Sequence, residues 1–250
     1  NTEWLYDRLG LHVRYYYYSG DGEDVVVYVS RDNDKKNDIV EITSDCYIGY
    51  NNSSVEYYTE PDGGSIRSKK IYPGVTVVRN GKNMSDDLDA AFADFYGYMK
   101  LISTDSGREY DVVIIEDYEN IEVGYIDNTK KILYDKLNPA TLINLSDEEN
   151  VIVTYQDADG ASSAFEKISV GDVVSVARTS GQFAKVIINS TEISGTISDT
   201  ESTDDSMIIT IDGIKYEFDE RYFSRTSPSV FGGKVTIKTD FFGKIASYTT

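Results

Sequence analysis

The chain has 250 residues, of which 40% are hydrophobic and 27% charged, a balance typical of a globular protein and not of a disordered one. Its 43 acidic and 24 basic residues give a formal net charge of -19, which argues against nucleic acid and anionic membrane surfaces as partners. No apolar run approaches the roughly 20 residues that a membrane-spanning helix needs, so membrane insertion is not expected.

The first part of the chain predicts short strands joined by tight turns. Residues 11–18 alternate well enough for a strand, residues 19–22 carry turn residues, and residues 25–29 form the returning strand of a hairpin. Four consecutive tyrosines, Tyr15 to Tyr18, occupy the first strand. Because side chains alternate between the two faces of a strand, two rings are expected in the core and two in solvent. The exposed pair is a candidate contact for assembly, for a sugar or for a protein partner.

Further short strands lead to Asn80-Gly81, the strongest turn dipeptide of the chain. One short helix is then predicted near residues 85–95, because Ser85 can cap it and its apolar residues Leu88, Phe92 and Phe95 fall on one face. The central stretch, residues 97–115, follows as an apolar strand, an acidic turn and a second apolar strand.

The remaining sequence, from residue 121 onward, predicts strands at intervals of about 8–12 residues with turn signals such as Asp212-Gly213 between them. We therefore predict an all-β fold made of two or three small β-barrel or sandwich domains, with one short helix near residues 85–95. The predicted domains are an N-terminal β-domain at residues 1–82, a central β-hairpin region with the helix at 83–145, and a C-terminal barrel or sandwich at 146–250.

The central turn contains the residues that we consider for a metal ion. Calcium takes about six to eight oxygen ligands, and Asp105, Glu109 and Asp111 could supply some of them, together with Ser103 and main-chain carbonyls. The same residues suit an ordinary hairpin turn, which is the interpretation that we favour. No metal and no other cofactor is therefore predicted, with these three acids as the calcium candidates.

Catalysis is not predicted either. His12 is the only histidine and Cys46 the only cysteine, so a Ser-His-Asp, Cys-His or zinc site would depend on them. His12 lies mid-strand between apolar residues, and Cys46 is expected to be a small buried hydrophobic residue. Adjacent acids on a strand point to opposite faces, so they do not form a glycosidase pair. Two such pairs occur, at Glu116-Asp117 and Asp204-Asp205.

The central stretch also resembles a family pattern. Residues 98–102, an acidic turn with glycine, and residues 110–115 followed by Tyr118 are similar to the β-domains of clostridial-type surface-layer and cell-wall proteins. The wall-anchoring repeats that accompany this family are absent from the sequence. The family's alternating run of Asp with Asn or Gly is thinned here at residues 103–109. Further similar pieces follow in the same order within residues 71–248, at residues 80–82, 171–177, 194–197, 211–216 and 242–246.

This resemblance implies a non-catalytic structural component of an extracellular surface layer or shell on the bacterial cell, acting by self-association or by presenting domains. The partners it implies are copies of the chain itself or other surface or shell proteins. Two alternatives stay open, a phage virion or tail protein and a carbohydrate- or partner-binding module. The chain begins with Asn1 and no signal peptide, so we expect it to be processed or part of a longer protein.

Overall fold

The computed structural model describes residues 6, 8–20, 23–32, 36–61, 63–105, 108–146, 152–202, 206–226 and 233–250. Strands make up 61% of the structure and helices 8%, so the predicted all-β class is confirmed. The described helices are α1 (Leu88–Ala91) and α2 (Glu220–Thr226), and short 3₁₀ turns occur at Ser44–Cys46 and Phe165–Lys167. Neither of these helices is long and apolar enough to cross a membrane.

The chain divides into two compact units, Asn1–Tyr118 and Glu119–Thr250, and the division falls inside one strand. The predicted boundaries near residues 82 and 145 differ from this division, and the three-domain organisation stays a prediction. The strands of the first unit are β1 (Val13–Gly20), β2 (Glu23–Arg31), β3 (Asp38–Thr43), β4 (Tyr47–Asn51), β5 (Ser54–Glu60), β6 (Gly63–Arg79), β7 (Lys82–Asn83), β8 (Gly97–Ser103) and the beginning of β9 (Tyr110–Asp127).

One sheet holds most strands of the first unit, in the order β3, β8, β9, β6, β5 and β4, with β7 beside β6. The β6–β9 pairing is parallel, and the other pairs along this order are antiparallel. In the β8–β9 hairpin Leu101 lies opposite Val113 and Met99 opposite Ile115, and all four side chains are fully buried. Strands β1 and β2 form a separate two-stranded sheet.

The short helix predicted near residues 85–95 is present as the single turn α1. Its cap is Asp87, whose carboxylate accepts a hydrogen bond from the backbone N–H of Ala90 at 3.1 Å, so the prediction that Ser85 caps it is wrong. The Ser85 hydroxyl instead accepts from the backbone N–H of Val77 at 3.0 Å. Phe92 and Phe95 are buried in the core of the first unit, as their spacing predicted.

Strand β9 is continuous, whereas the sequence indicated two separate strands at residues 110–115 and 121–126. The polar residues between them find partners that allow the extended backbone to continue. Asn80 donates through its amide to the carbonyl of Asp117 at 2.9 Å and accepts from the backbone N–H of Asp117 at 2.8 Å. The Asn80 side chain therefore supplies the hydrogen bonds that the backbone of a neighbouring strand would otherwise give to Asp117.

The second unit contains two groups of strands, each with its own buried core. The strands of this unit after β9 are β10 (Ile132–Asp135), β11 (Leu142–Asn144), β12 (Ile152–Asp157), β13 (Val173–Thr179), β14 (Phe183–Asn189), β15 (Ile193–Ser202), β16 (Met207–Ile211), β17 (Ile214–Glu217), β18 (Lys234–Thr239) and β19 (Ile245–Thr249). In one group β10 pairs with β9 and β11, β13 and β14 form an antiparallel pair, and β12 runs parallel to β14. The other group is a five-stranded sheet in the order β17, β16, β15, β18 and β19.

The turn dipeptides predicted most strongly are confirmed. Asn80 and Gly81 have φ angles of 46° and 76°, and Asp212 and Gly213 have φ angles of 50° and 82°. Positive φ at both central positions is the requirement of the two-residue hairpin turn that these dipeptides favour. Several predicted features lie outside the described residues, namely the turn residues Asp21-Gly22 and Ser106-Gly107 and the acid pair Asp204-Asp205.

Candidate interaction surface

The hairpin of β1 and β2, called here the tyrosine hairpin, carries the most unusual side chains of the protein. Its register places Tyr16 opposite Tyr28 and Tyr17 opposite Val26. A β-bulge between Tyr16 and Tyr17 leaves Val27 as the extra residue of β2. The tyrosine run thus lies opposite residues 25–29 of β2, which are four valines and one tyrosine.

All four consecutive tyrosines are exposed, with exposed fractions of 62% for Tyr15, 54% for Tyr16, 55% for Tyr17 and 68% for Tyr18. The prediction that two of these rings enter the core is wrong. The alternation of faces holds, but the sheet has only two strands, and neither of its faces is buried against the rest of the described chain. The tyrosine hairpin therefore has two open faces where a half-buried strand was expected.

Each face carries its own group of aromatic rings. The first face holds Tyr15 and Tyr17, whose ring centroids lie 6.0 Å apart with planes inclined by 38°, and also Val26 across from Tyr17. The second face holds Tyr16, Tyr18 and Tyr28. On that face the rings of Tyr16 and Tyr28 lie 5.8 Å apart with planes inclined by 36°. The paired rings on both faces are tilted, so neither face is a flat aromatic platform.

The tyrosine hairpin also has two uncharged stretches, although Asp21, Glu23 and Asp24 lie between them in the sequence. Residues 15–20 and 25–30 contain no acidic or basic residue, although 27% of the whole chain is charged. At the base of the hairpin, Arg14 forms an ion pair with Asp32 at 2.9 Å. Depletion of charge and enrichment of tyrosine are the features that distinguish the core of protein–protein interfaces from other surface.

The base of the tyrosine hairpin is attached to the first unit by hydrogen bonds through Asn37. Its side chain accepts from the backbone N–H of His12 at 3.1 Å and donates to the carbonyls of Gly10 at 2.9 Å and Ser103 at 3.2 Å. Gly10 fits closely, since a β-carbon there would lie 3.0 Å from side-chain atoms of Val112. These contacts fix the start of the hairpin at Ser103, the last residue of β8.

The three calcium candidates are engaged with other groups. Glu109 forms an ion pair with Lys70 at 2.5 Å, and Asp111 accepts hydrogen bonds from the backbone N–H of Thr104, at 2.9 Å, and from the Thr104 hydroxyl. Asp105 accepts from the Ser103 hydroxyl at 3.3 Å. Within the described parts of the chain, no three or more His, Cys, Asp or Glu side chains are grouped so that they could hold a metal ion.

The acid pair Glu116-Asp117 is also committed to structural contacts. Glu116 accepts from the Tyr118 hydroxyl at 2.8 Å, and burial together with the Glu116 charge raises the pKa of Tyr118 far above its ordinary value. Asp117 accepts from Arg79 at 2.9 Å and from the backbone N–H of Tyr96 at 2.9 Å. Cys46, which a Cys-His or zinc site would require, is buried in the core of the first unit as expected.

The second unit contains a buried polar cluster that was not predicted from the sequence. The Asn120 amide donates to Asp219 at 3.2 Å and to Asp240 at 2.8 Å, and both acids are 2% exposed. Asp219 also accepts from the backbone N–H of Tyr222 at 2.7 Å, and Asp240 from that of Lys244 at 3.0 Å. The signals were present, since Asp219 precedes a helix and Asp240 precedes a turn glycine, positions where aspartate accepts backbone N–H groups.

A groove of about 440 Å³ lies on the five-stranded sheet and is lined mainly by hydroxyl residues, among them Ser194, Thr196 and Thr236. The Ser194 and Thr236 hydroxyls bond to each other at 2.8 Å. Its described lining contains no aromatic ring on which a sugar could stack. The tyrosine hairpin is therefore the stronger candidate for recognition.

Comparison with protein-family models finds no match to this chain. Comparison with curated proteins finds no significant match either. The resemblance to surface-layer and cell-wall β-domains thus stays an expectation from the sequence.

Proposed function

We propose that this protein is a non-catalytic structural component of a surface layer or shell, and that it works by self-association through the tyrosine hairpin. The observation that carries the proposal is a hairpin with exposed tyrosines on both faces, in which residues 15–20 and 25–30 carry no charge. An isolated two-stranded hairpin is at best marginally stable in water. A partner that covers its faces therefore stabilises the hairpin itself.

The alternative of a carbohydrate-binding module receives less support from the geometry. Stacking on a sugar ring favours aromatic rings that lie coplanar on one face, whereas neighbouring rings here are inclined by 38° and 36° and occupy both faces. Depletion of charge with enrichment of tyrosine is instead the composition of the core of a protein–protein interface. We therefore favour a protein partner.

A location at the bacterial cell surface is part of the proposal and rests on the family resemblance. A phage virion or tail subunit remains the alternative location, since it would use the same kind of contact. The non-catalytic part rests on the composition, which offers one histidine and one cysteine for a Ser-His-Asp, Cys-His or zinc site.

Sedimentation velocity over a range of protein concentrations tests the proposal. Wild-type protein should form oligomers as concentration rises, and the double variant Tyr16→Thr/Tyr17→Thr should remain monomeric because it loses one ring from each face. Threonine keeps the preference for strand conformation. Tyr125→Thr is the matched control, since Tyr125 is 62% exposed on the second unit, and it should behave as wild type. Wild-type protein that stays monomeric would refute the proposal.

The same measurement with and without millimolar calcium tests the turn acids Asp105, Glu109 and Asp111. Extracellular calcium modules bind with dissociation constants of about 10⁻⁴–10⁻³ M, so millimolar calcium would occupy such a site. Because Glu109 and Asp111 already have partners, we expect the same oligomers in both conditions. Oligomers that form with calcium but not with the same concentration of magnesium would indicate that these acids bind calcium.

A further inference from the structure

Two tyrosines of the tyrosine hairpin lie opposite each other on neighbouring strands, with both rings exposed. Tyr16 of β1 is paired with Tyr28 of β2, and their ring centroids lie 5.8 Å apart. Their exposed fractions are 54% and 59%. We propose that this pair is the site of an oxidative modification, in which a covalent bond between the two rings, a dityrosine, joins β1 to β2. This inference does not depend on the proposed self-association.

The reaction requires an oxidant, which here is hydrogen peroxide activated by a peroxidase. Each phenol gives up one electron and its hydroxyl proton and becomes a phenoxyl radical. The two radicals join through the ring carbons next to their oxygens, and the hydrogens on those carbons move to the oxygens, which restores both phenols. In total the two tyrosines lose two hydrogen atoms, and one peroxide is reduced to two water molecules.

The geometry favours a bond across the strands over a bond within one strand. The β-carbons of directly opposite residues lie about 4.5–5.5 Å apart, whereas residues two apart on one strand are separated by about 6.7 Å. Tyr15 and Tyr17 form such a pair within β1, and their ring centroids lie 6.0 Å apart. Joining Tyr16 to Tyr28 therefore requires the smaller displacement of the side chains.

The other oxidisable groups of the chain are less accessible. Oxidation of cysteine and methionine follows their exposure to solvent. The sulfur-containing side chains are all buried or partly buried, namely Cys46, Met84, Met99 and Met207. Exposed tyrosine rings are therefore the more accessible targets for an oxidant in solution.

The second unit contains a similar pair that serves for comparison. Tyr125 lies opposite Tyr134, and their ring centroids lie 5.6 Å apart. Tyr125 is 62% exposed, but Tyr134 is partly buried. Because both rings must be oxidised before they join, the pair in the tyrosine hairpin is the more reactive of the two.

The bond would close residues 16–28 into a covalent loop. A two-stranded hairpin is at best marginally stable in water. A covalent link between distant residues restricts the unfolded chain, as a disulfide does. Oxidation at this site would therefore keep the two strands together without a third strand or a covering layer.

Peptide mapping of the oxidised protein tests the proposal. Wild-type protein is diluted until sedimentation velocity shows a monomer, treated with peroxidase and hydrogen peroxide, and digested with trypsin. Both tyrosines fall in the peptide of residues 15–31, because Arg14 and Arg31 flank it. A second digestion after Glu23 separates this peptide into residues 15–23 and 24–31. A bond between Tyr16 and Tyr28 keeps the halves joined with two hydrogens fewer, whereas a bond within β1 leaves them separate.

Two variants identify the residue of β1 that takes part. We expect Tyr16→Phe to lower the yield of joined halves at least fivefold, because phenylalanine keeps the ring but lacks the hydroxyl from which the radical forms. Tyr18→Phe is the matched control, since Tyr18 is more exposed, at 68%, but lies opposite Val25, and its yield should equal that of wild type.

Equal losses in the two variants would overturn the proposal, because exposure alone would then decide which ring reacts. Wild-type protein that gives no joined halves would also overturn it, as would joined halves found only in covalent dimers on a denaturing gel. Each of these results leaves the self-association measured by sedimentation unaffected.

Discussion

At the scale of single residues, Gly97 is the position where two strands approach too closely for a side chain. A β-carbon there would lie 1.9 Å from the carbonyl oxygen of Glu116 and 2.9 Å from Cδ2 of Tyr118. We expect Gly97→Ala to lower the free energy of unfolding by about 3 kcal/mol, because the β8–β9 backbones must separate to admit the methyl group. Urea denaturation measures this change. Gly49→Ala is the control, since its nearest contact would be at 3.5 Å, and equal losses in the two variants would contradict the argument.

Tyr47 makes the stability of the protein depend on pH in the alkaline range. Its hydroxyl donates to the carbonyl of Phe92 at 2.7 Å, and burial, followed by the charge of Asp94, raises its pKa to about 12. In the unfolded chain the same group ionises near pH 10. Between these values the unfolded state releases a proton that the folded state keeps. The stabilisation is therefore complete below pH 10 and is lost as the pH rises toward 12.

We therefore expect the free energy of unfolding to fall less steeply between pH 10 and 12 in Tyr47→Phe than in wild type. Burial also raises the pKa of Tyr110, whose hydroxyl donates to Asp38, so some slope will remain in the variant. At pH 8 the variant should lose only about 1 kcal/mol, the usual contribution of one hydrogen bond. Urea denaturation at several pH values measures both quantities. Parallel pH dependences in the two proteins would contradict this role of Tyr47.

At the scale of structural elements, Arg79 holds the end of α1 against β9. Its guanidinium donates to the carbonyls of Ala91 at 3.2 Å, Ala93 at 3.0 Å and Asp94 at 2.8 Å, and to the Asp117 carboxylate at 2.9 Å. A four-residue helix cannot form on its own, because its first turn costs more entropy than one hydrogen bond returns. Arg79 also satisfies the carbonyls that every helix leaves unpaired at its C-terminal end.

We expect Arg79→Met to lower the free energy of unfolding by about 2–3 kcal/mol, since it removes these bonds and leaves Asp117 without its cation. Near-ultraviolet circular dichroism should also change, because Tyr47 and Phe95, whose ring centroids lie 5.2 Å apart, pack beside this helix. The control is Lys100→Met, which breaks the exposed pair of Lys100 with Glu41 and should cost less than about 1 kcal/mol. Similar losses from both variants would show that Arg79 acts only as a surface charge.

Elements whose signals are local could be predicted from the sequence, and those that depend on distant partners could not. The dipeptides Asn80-Gly81 and Asp212-Gly213 fix their turns through backbone conformation alone, so these predictions succeeded. The continuity of β9 depends on Asn80, which lies 37 residues from Asp117 and pairs with its backbone. The division at Tyr118 falls within that strand and so has no turn residue to mark it.

The candidate surface was predicted only in part, for the same reason. The tyrosine run and its hairpin were evident from residues 11–29, but the sequence does not indicate how many strands join them or whether another layer covers them. The contacts of the calcium candidates also depend partly on a distant residue. Glu109 pairs with Lys70, 39 residues away, whereas Asp111 bonds locally to Thr104.

At the scale of the whole molecule, the negative charge opposes the self-association that we propose. The first unit contains 22 acidic and 12 basic residues and the second contains 21 and 12, so their net charges are -10 and -9. Repulsion between copies is therefore spread over the chain and is not confined to one surface. Salt weakens such repulsion, since the Debye length falls from about 30 Å at 0.01 M to about 10 Å at 0.1 M ionic strength. Burial of uncharged tyrosine and valine does not weaken in the same way.

We therefore expect association of the wild-type protein to strengthen by at least tenfold when sodium chloride is raised from 10 to 150 mM. Sedimentation velocity at fixed protein concentration measures the change. The variant Tyr16→Thr/Tyr17→Thr should remain monomeric at every salt concentration, because screening removes repulsion without replacing the lost contact. If the variant also associates when salt is added, the attraction lies outside the tyrosine hairpin. Association that weakens with salt would indicate a contact between unlike charges, which the uncharged residues 15–20 and 25–30 cannot provide.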